Sequence, residues 1–207
     1  MEEIARVADL AERLRRYFNT VGTAYAFFAF GMVICGYWLV FVSLKDLLYP
    51  GAPWSRVTPV AALAMWAVVA LCVVALVKTA PKSRWRTEEG WREGLRWTVS
   101  FLAPFLAVYL APLPDPRLYT VVWYPALGVS LLLVHLLLER EWISRRSVVA
   151  RPFLMSSLAT LATTPLVVYA LRAGDVACSW AMALGLMLLS YYVAGVYAMY
   201  KASRLFS

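Results

Sequence analysis

Five hydroxyl side chains and one proline interrupt an apolar stretch in the second half of the chain. Residues 156–169 read SSLATLATTPLVVY, and the hydroxyls in this stretch belong to Ser156, Ser157, Thr160, Thr163 and Thr164. Thr160 follows Ser156 by four residues and Thr164 follows Thr160 by four, so a helix places these groups on one face. That face is expected to point at protein or at a ligand, because a hydroxyl that points at lipid must bond to its own backbone.

Two prolines bend the predicted helices that carry these hydroxyls. Pro165 has no N–H group and clashes with the carbonyl of Leu161, which leaves a backbone acceptor for a neighbouring helix or a bound molecule. Pro104 acts on Ser100 in the same way in an earlier stretch. Two bent, uncharged helices with hydroxyls predict a pocket for a mostly hydrocarbon molecule with one or two hydrogen-bonding groups, such as a sterol or a diacylglycerol. The predicted lipid-binding residues are Ser100, Pro104, Ser156, Thr160, Thr163, Thr164 and Pro165.

A simpler interpretation of the same residues is local bonding and packing. Serine and threonine in membrane helices often donate to the carbonyl four residues earlier, and a proline often does no more than bend its helix. Small residues recur every third position from Ala61 to Ala70, and every fourth position at Ser190, Ala194 and Ala198. Both patterns predict close helix packing, because small side chains let helices approach each other in lipid.

Titratable and nucleophilic groups show no pattern for catalysis or metal binding. All twelve acids lie in termini, loops or span ends, whereas ion-coupled transporters place such groups inside the membrane. The sequence has no G-x-S-G-like motif paired with a histidine, no H-E-x-x-H motif, no aspartate pair for two metals and no G-K-[S/T] phosphate loop. The only histidine, His135, precedes Glu139 by four residues, which favours a local hydrogen bond over proton shuttling. We expect no enzyme and no metal, since Cys35, Cys72 and Cys178 are also widely spaced.

The elements that must position these residues are membrane-spanning helices. The 207-residue chain is 62% hydrophobic and 15% charged, with a mean hydropathy of +0.67, which is typical of a polytopic membrane protein. Six apolar stretches approach the roughly 20 residues needed to cross a bilayer. The sequence therefore predicts an all-α fold with six transmembrane helices, near 19–44, 57–78, 97–112, 118–138, 152–171 and 178–200.

Basic residues predict the orientation of these helices. Sixteen of the 20 lysines and arginines fall in the N-terminal segment, the second and fourth connections and the C-terminal tail, which all lie on one side. The other side holds only Lys45, Arg56, Arg117 and Arg172. By the positive-inside rule, both termini are expected in the cytoplasm. This orientation explains the net charge of +8 without nucleic-acid binding.

The N-terminal segment, 1–18, is predicted to be an amphipathic helix that precedes the transmembrane domain, 19–207. Its apolar residues lie at helical spacing opposite glutamates and arginines, and they are Ile4, Val7, Ala8, Ala11, Leu14 and Phe18. This pattern favours a helix on the cytoplasmic surface of the membrane. The competing interpretation is a helix that docks onto a partner protein.

Residues 158–169, LATLATTPLVVY, resemble the fifth helix of the Insig proteins, which are six-helix sterol-responsive membrane proteins of the endoplasmic reticulum. The shared pattern is L-A-T-L-x-T-x-x-L-V followed by a tyrosine, displaced here by one position. The approach to the third helix at 91–99, WREGLRWTV, and the entry to the second helix from Trp54 to Pro59 are also similar. Chain length and the predicted topology fit as well. The sequence departs at Thr164 and Pro165, where the family has glutamine and phenylalanine.

The resemblance implies a non-enzymatic, Insig-like bundle that holds a sterol-like or diacylglycerol-like lipid among its helices and needs no other cofactor. In the family, the bound lipid governs association with larger sterol-sensing membrane proteins. The family also has an acidic residue and an arginine after the fourth helix that are implicated in partner contacts. Their nearest counterparts are Glu139 and Arg140, which are the predicted partner-binding residues. The expected partners are membrane lipid and either a second copy of the chain or a polytopic membrane protein.

Two other functions are compatible with the sequence. A small uniporter or channel would require a continuous polar path, whereas the hydroxyls cluster on the fifth predicted helix. An accessory subunit of a membrane complex would use the small-residue faces and the N-terminal helix as docking surfaces.

Overall fold

The computed structural model describes residues 2–36, 88–174 and 176–206, and every regular element within these ranges is a helix. The predicted all-α class is therefore confirmed for the described residues. Several predictions lie outside them: the span near 57–78, the last part of the span near 19–44, the entry from Trp54 to Pro59 and the small residues from Ala61 to Ala70.

The first helix is longer than a membrane span. Helix α1 covers Glu2–Phe30 and continues as a π-helix over Gly31–Gly36. It passes through residues 18 and 19 without interruption, so the predicted surface helix and the start of the first predicted span form one continuous helix. At 1.5 Å per residue, α1 is about 44 Å long, compared with about 30 Å for the hydrocarbon core of a bilayer. Residues 3–11 are all exposed.

Five further α-helices follow in the described residues. Helix α2 contains Pro104, helix α5 contains Pro165, and a π-helical segment makes α3 and α4 continuous. In chain order the elements are α2 (Glu88–Leu110), a 3-10 helix (Pro116–Thr120), α3 (Trp123–Val134), the π segment (His135–Glu139), α4 (Arg140–Ser144), α5 (Pro152–Ala173) and α6 (Val176–Ser203).

The helices pack as neighbours in the order α2, α3, α5, α6 and α1. Helices α3 and α5 approach closely at Gly128, where a Cβ atom would lie 2.8 Å from Leu161 Cδ2. Helices α6 and α1 approach closely at Gly195, where a Cβ atom would lie 2.6 Å from Phe28 Cε1. The small-residue face predicted for the last helix is buried, and its members are Ser190, Ala194 and Ala198.

Four helices meet at the first turn of α5, around the ring of Phe153. Its centroid lies 4.8 Å from that of Phe27 on α1, 5.5 Å from Trp97 on α2 and 6.2 Å from Trp142 on α4. This end of the bundle, where α3 runs through Glu139 into α4, is called the Glu139 end below. At the opposite end, the Trp123 end, the rings of Trp123 on α3 and Trp180 on α6 lie 5.3 Å apart.

Three of the described helices are long and apolar enough to cross a membrane. They cover Glu3–Ile34, Pro152–Ala173 and Val176–Ser203. Many large apolar side chains on these helices are exposed, including Leu158, Leu166 and Leu189. Length, composition and exposure together are those of a membrane protein.

Candidate functional site

The first part of the hydroxyl face on α5 is buried in helix contacts. Ser156, Ser157 and Thr160 have no exposed surface. Ser157 Oγ donates to the carbonyl of Gly128 on α3 at 2.8 Å, close to the point where α3 and α5 approach each other. Ser156 Oγ lies 3.3 Å from Ser190 Oγ on α6. Because Ser190 already donates to the carbonyl of Met187, Ser156 is the donor of this pair.

The second part of the same face lies beside Pro165 and is only half-buried. Thr163 Oγ1 donates to the carbonyl of Ala159 at 2.7 Å, so the Tyr124 hydroxyl, 2.7 Å away, donates to Thr163. Thr164 Oγ1 donates to the carbonyl of Thr160 at 3.0 Å. Pro165 itself is exposed. These groups bond within α5 or to α3, and they sit nearer the bundle surface than Ser156 does.

The predicted site residues on α2 are buried against the bundle. Ser100 has no exposed surface and donates to the carbonyl of Arg96 at 2.7 Å. Pro104 is also buried. Helix α2 packs on α3, and the hydrogen bonds described for the Ser100 hydroxyl and for the hydroxyls of α5 do not connect the two groups. In the described residues, the α2 and α5 members of the predicted lipid-binding set therefore take part in separate hydrogen bonds.

The predicted hydroxyl groups donate hydrogen bonds either to carbonyl groups of their own helix or to groups on a neighbouring helix. Ser100, Thr160, Thr163 and Thr164 donate within their own helices, which is the simpler interpretation of the sequence. Ser156 and Ser157 bond to adjacent helices instead. Lipid binding by the predicted residues stays a prediction. Thr163, Thr164 and Pro165 are the members that a molecule at the surface of the bundle would reach first.

Glu139 is the N-terminal cap of α5, although it lies on the π segment before α4. Its Oε1 accepts the N–H of Phe153 at 3.0 Å and its Oε2 accepts the N–H of Leu154 at 3.3 Å. The first N–H groups of a helix have no partner inside that helix, and a carboxylate there also interacts favourably with the helix dipole. Arg151, the N-cap residue by position, makes no side-chain cap, so Glu139 replaces it.

The same carboxyl group is paired with the only histidine. His135 Nδ1 lies 2.5 Å from Glu139 Oε2, and both residues are in the π segment. The local hydrogen bond expected from their spacing is therefore confirmed. Glu139 is 1% exposed, and its carboxyl group forms its described hydrogen bonds inside the bundle. The capping role was missed from the sequence; the signal was an acid among apolar residues shortly before a helix that begins with Pro152.

The predicted partner-binding pair is divided between the inside and the outside of the bundle. Glu139 is buried, whereas the side chain of Arg140 is exposed. In this conformation only Arg140 is accessible to another protein, and the partner contact stays a prediction for it.

Polar contacts tie the other helices to the Glu139 end. On α1, Asn19 Nδ2 donates to the carbonyl of Ser147 at 3.2 Å, and Thr20 Oγ1 accepts the N–H of Val149 at 3.1 Å. On α2, Arg96 pairs with Glu141 on α4. The crevice between α1, α4 and the start of α5, lined by Thr20, Glu139 and Trp142 among others, is too narrow for a water molecule. It is a packed junction and not a ligand cavity.

The N-terminal part of α1 presents a surface of a different kind. Its large apolar side chains are exposed by 39–75% and form a line along the helix, here called the α1 stripe: Ile4, Val7, Leu10, Leu14 and Phe18. The opposite face is charged and carries the ion pairs Asp9–Arg13, at 2.8 Å, and Glu12–Arg16. A line of exposed large apolar side chains opposite a charged face is typical of a binding surface.

No family model, curated protein or solved structure matches this chain. The geometry and chemistry of the described residues therefore carry the functional inference.

Proposed function

We propose that the protein is a non-catalytic membrane subunit that docks onto another polypeptide through the α1 stripe. The observation that carries this proposal is the line of large apolar side chains from Ile4 to Phe18, which are exposed along one face of the N-terminal part of α1. A helix with one apolar face presents it to a groove or to another helix, and anchors three or four residues apart are the usual contacts. Of the functions that the sequence leaves open, this is the accessory subunit.

The polar groups of the bundle support a structural role over a chemical one. The hydroxyls of α5 are used in contacts within and between helices, and the buried Glu139 carboxyl group caps α5. A catalytic or conducting site would need polar groups directed into accessible space. In the described residues, the α1 stripe is instead an exposed apolar helix face.

Cross-linking in the native membrane tests the docking surface. We expect a photoreactive amino acid at Leu14 to cross-link to a polypeptide, and the same amino acid at Arg13 on the charged face to give no such product. Val7→Asp in the same chain should abolish the Leu14 product, because a charge in the stripe disfavours burial. Cross-linking of Leu14 to lipid alone would contradict the proposal.

We also propose six spans with both termini in the cytoplasm. The described basic residues support this orientation, because only Arg117 and Arg172 lie at the Trp123 end. The others lie at or beyond the Glu139 end, and they are Arg6, Arg13, Arg15, Arg16, Arg92, Arg96, Arg140, Arg145, Arg146, Arg151, Lys201 and Arg204. Such a charge difference between the two ends is the positive-inside pattern.

Insig-like lipid binding is the second candidate, and one observation favours it. Pro165 is exposed beside the half-buried Thr163 and Thr164, and it removes the N–H that would pair with the carbonyl of Leu161. The hydroxyl group of a diacylglycerol or a sterol could donate a hydrogen bond to this Leu161 carbonyl. The bound lipid would lie against α5 at the surface of the bundle.

Native mass spectrometry and thermal unfolding test this second candidate. We expect the protein to retain one neutral lipid per chain and to be stabilised against heat by added diacylglycerol or sterol. The double variant Thr164→Val, Pro165→Ala should lose both effects. Ser203→Ala is the matched control, since its exposed hydroxyl also bonds only within its helix. A protein that retains no lipid and is not stabilised by either lipid would exclude this function.

A further inference from the structure

The apolar residues of α1 repeat with the period of a coiled coil. Ile4, Ala11, Phe18 and Tyr25 are seven residues apart, and the residue three positions after each of the first three is also apolar: Val7, Leu14 and Val21. Ile4, Phe18 and Tyr25 are exposed by 75%, 65% and 61%, so the repeat lies on the open side of the helix. Alternating spacings of three and four residues form a seam that a second helix covers by knobs-into-holes packing.

The seam is poorly suited to binding the membrane surface. A helix that lies in the interface plane and then enters the bilayer must bend sharply, and such bends occur at prolines, glycine pairs or insertions into the backbone ladder. Helix α1 is continuous through residue 18, and the segment 2–18 contains neither glycine nor proline. This segment also has four acidic and four basic side chains, so it lacks the excess of positive charge that attracts anionic lipid.

A second copy of the chain fits the seam in orientation and in charge. Copies that insert into one membrane with the same topology have parallel α1 helices, so a two-fold axis along the membrane normal brings identical positions together. Equal numbers of acidic and basic groups mean that two such segments do not repel each other. Their ion pairs lie away from the seam: Asp9–Arg13 is exposed and Glu12–Arg16 is partly buried.

We propose that two copies of this chain associate through a parallel coiled coil of their α1 helices, with the seam running from Ile4 to Tyr25. This inference rests on the proposed docking function of the α1 stripe and names its partner. Ile4, Ala11, Phe18 and Tyr25 occupy one core position of the heptad, and Val7, Leu14 and Val21 occupy the other. Leu10 borders the core, where the aliphatic part of Arg15 from the second copy covers it.

Disulfide cross-linking tests the seam directly. In a full-length chain whose three cysteines are replaced by alanine, Leu14→Cys places a thiol at a core position and Arg13→Cys places one on the charged face. The two proteins are reconstituted in vesicles of phosphatidylcholine and phosphatidylglycerol and treated with an oxidant. We expect a covalent dimer from Leu14→Cys and only monomer from Arg13→Cys. Equal dimer yields from the two proteins, or none from either, would overturn the parallel seam.

A second measurement uses the otherwise native chain and so avoids any effect of the cysteine replacements. Single-molecule photobleaching of the labelled protein in the same vesicles should show two steps for the native chain. Leu14→Asp should show one step, with self-association weakened at least about tenfold, because each dimer loses two buried leucines. Leu14 is 39% exposed and belongs to neither of the buried apolar clusters of the described residues, so the fold is expected to persist, as circular dichroism will verify.

Different outcomes separate this inference from the proposed function on which it rests. If the native chain shows one bleaching step and a photoreactive group at Leu14 captures a different polypeptide, the proposed self-association is wrong. Docking through the α1 stripe is then still supported. If a nitroxide at residue 14 is instead accessible to oxygen dissolved in the bilayer, the stripe lies on lipid, and both proposals are wrong.

Discussion

At the scale of single residues, Glu139 shows how one buried carboxyl group connects two elements, the π segment and α5. It accepts the N–H groups of Phe153 and Leu154 at the start of α5, and it pairs with His135 one turn earlier on its own helix. Leaving a buried N–H group without an acceptor costs about 1–3 kcal/mol, which is more than a typical hydrogen bond contributes in net terms. This residue therefore stabilises the junction at which α1, α2, α4 and α5 meet.

Replacement of Glu139 should destabilise the protein more than replacement of a neighbouring acid. In Glu139→Gln the side-chain NH₂ group cannot accept from Leu154, so we expect a loss of about 1–3 kcal/mol in the free energy of unfolding. Glu141→Gln is the matched control. It lies two residues later and, among the described residues, pairs with Arg96 and Arg145 near the surface, where ion pairs contribute about 0–1 kcal/mol. Denaturant unfolding in detergent micelles, followed by circular dichroism, measures both; equal losses would contradict the capping role.

At the scale of helices, the sequence predicts which residues share one face of a helix better than it predicts what packs against that face. The spacing of Ser156 and Thr160 correctly placed their hydroxyls on one buried face of α5. Whether such a face meets a ligand or a helix depends on neighbours far apart in sequence, such as Gly128 and Ser190. The continuity of α1 was also missed, because a change from amphipathic to uniformly apolar composition near Phe18 is not itself a helix end.

Two glycines at the same place in two segments of similar sequence should respond differently to the same substitution. WYPALGVSLL, from Trp123, and WAMALGLMLL, from Trp180, place Gly128 and Gly185 at the same position. A Cβ atom at Gly128 would lie 2.8 Å from Leu161 Cδ2 and 2.9 Å from its Cγ, so Gly128→Ala requires the Leu161 side chain or the two helices to shift. We expect a loss of about 1–3 kcal/mol in unfolding free energy, as for other overpacked contacts.

Gly185 is the internal control for this contact. A Cβ atom there has no atom within 4 Å, so Gly185→Ala should leave stability unchanged or raise it by about 0.4–1 kcal/mol through the unfolded state. Thermal unfolding of the two variants in one detergent gives the comparison. Similar values for both would mean that the α3–α5 approach at Gly128 is not a tight contact.

At the scale of the whole molecule, composition predicted the helical class and charge predicted a difference between the two ends. Apolar helices satisfy their own backbone groups and differ little from one another in pattern, so their neighbours cannot be read from periodicity. The order α2, α3, α5, α6 and α1 depends on local fits such as Gly195 against Phe28, which composition does not specify. The arginines, by contrast, influence membrane orientation through their number at each end of the bundle, and that number can be counted from the sequence.

The orientation of the bundle can be tested with one residue from each end. In the cysteine-free chain, Arg117→Cys lies in the exposed connection at the Trp123 end and Ser203→Cys lies at the exposed end of α6. Because the excess of arginines favours the cytoplasm for the Glu139 end, a membrane-impermeant maleimide should label residue 117 in intact cells and residue 203 only after permeabilisation. Labelling of both residues in intact cells would place both ends on one side and exclude the proposed arrangement. The reverse pattern would place the α1 stripe outside the cell, where its docking partner would also have to be.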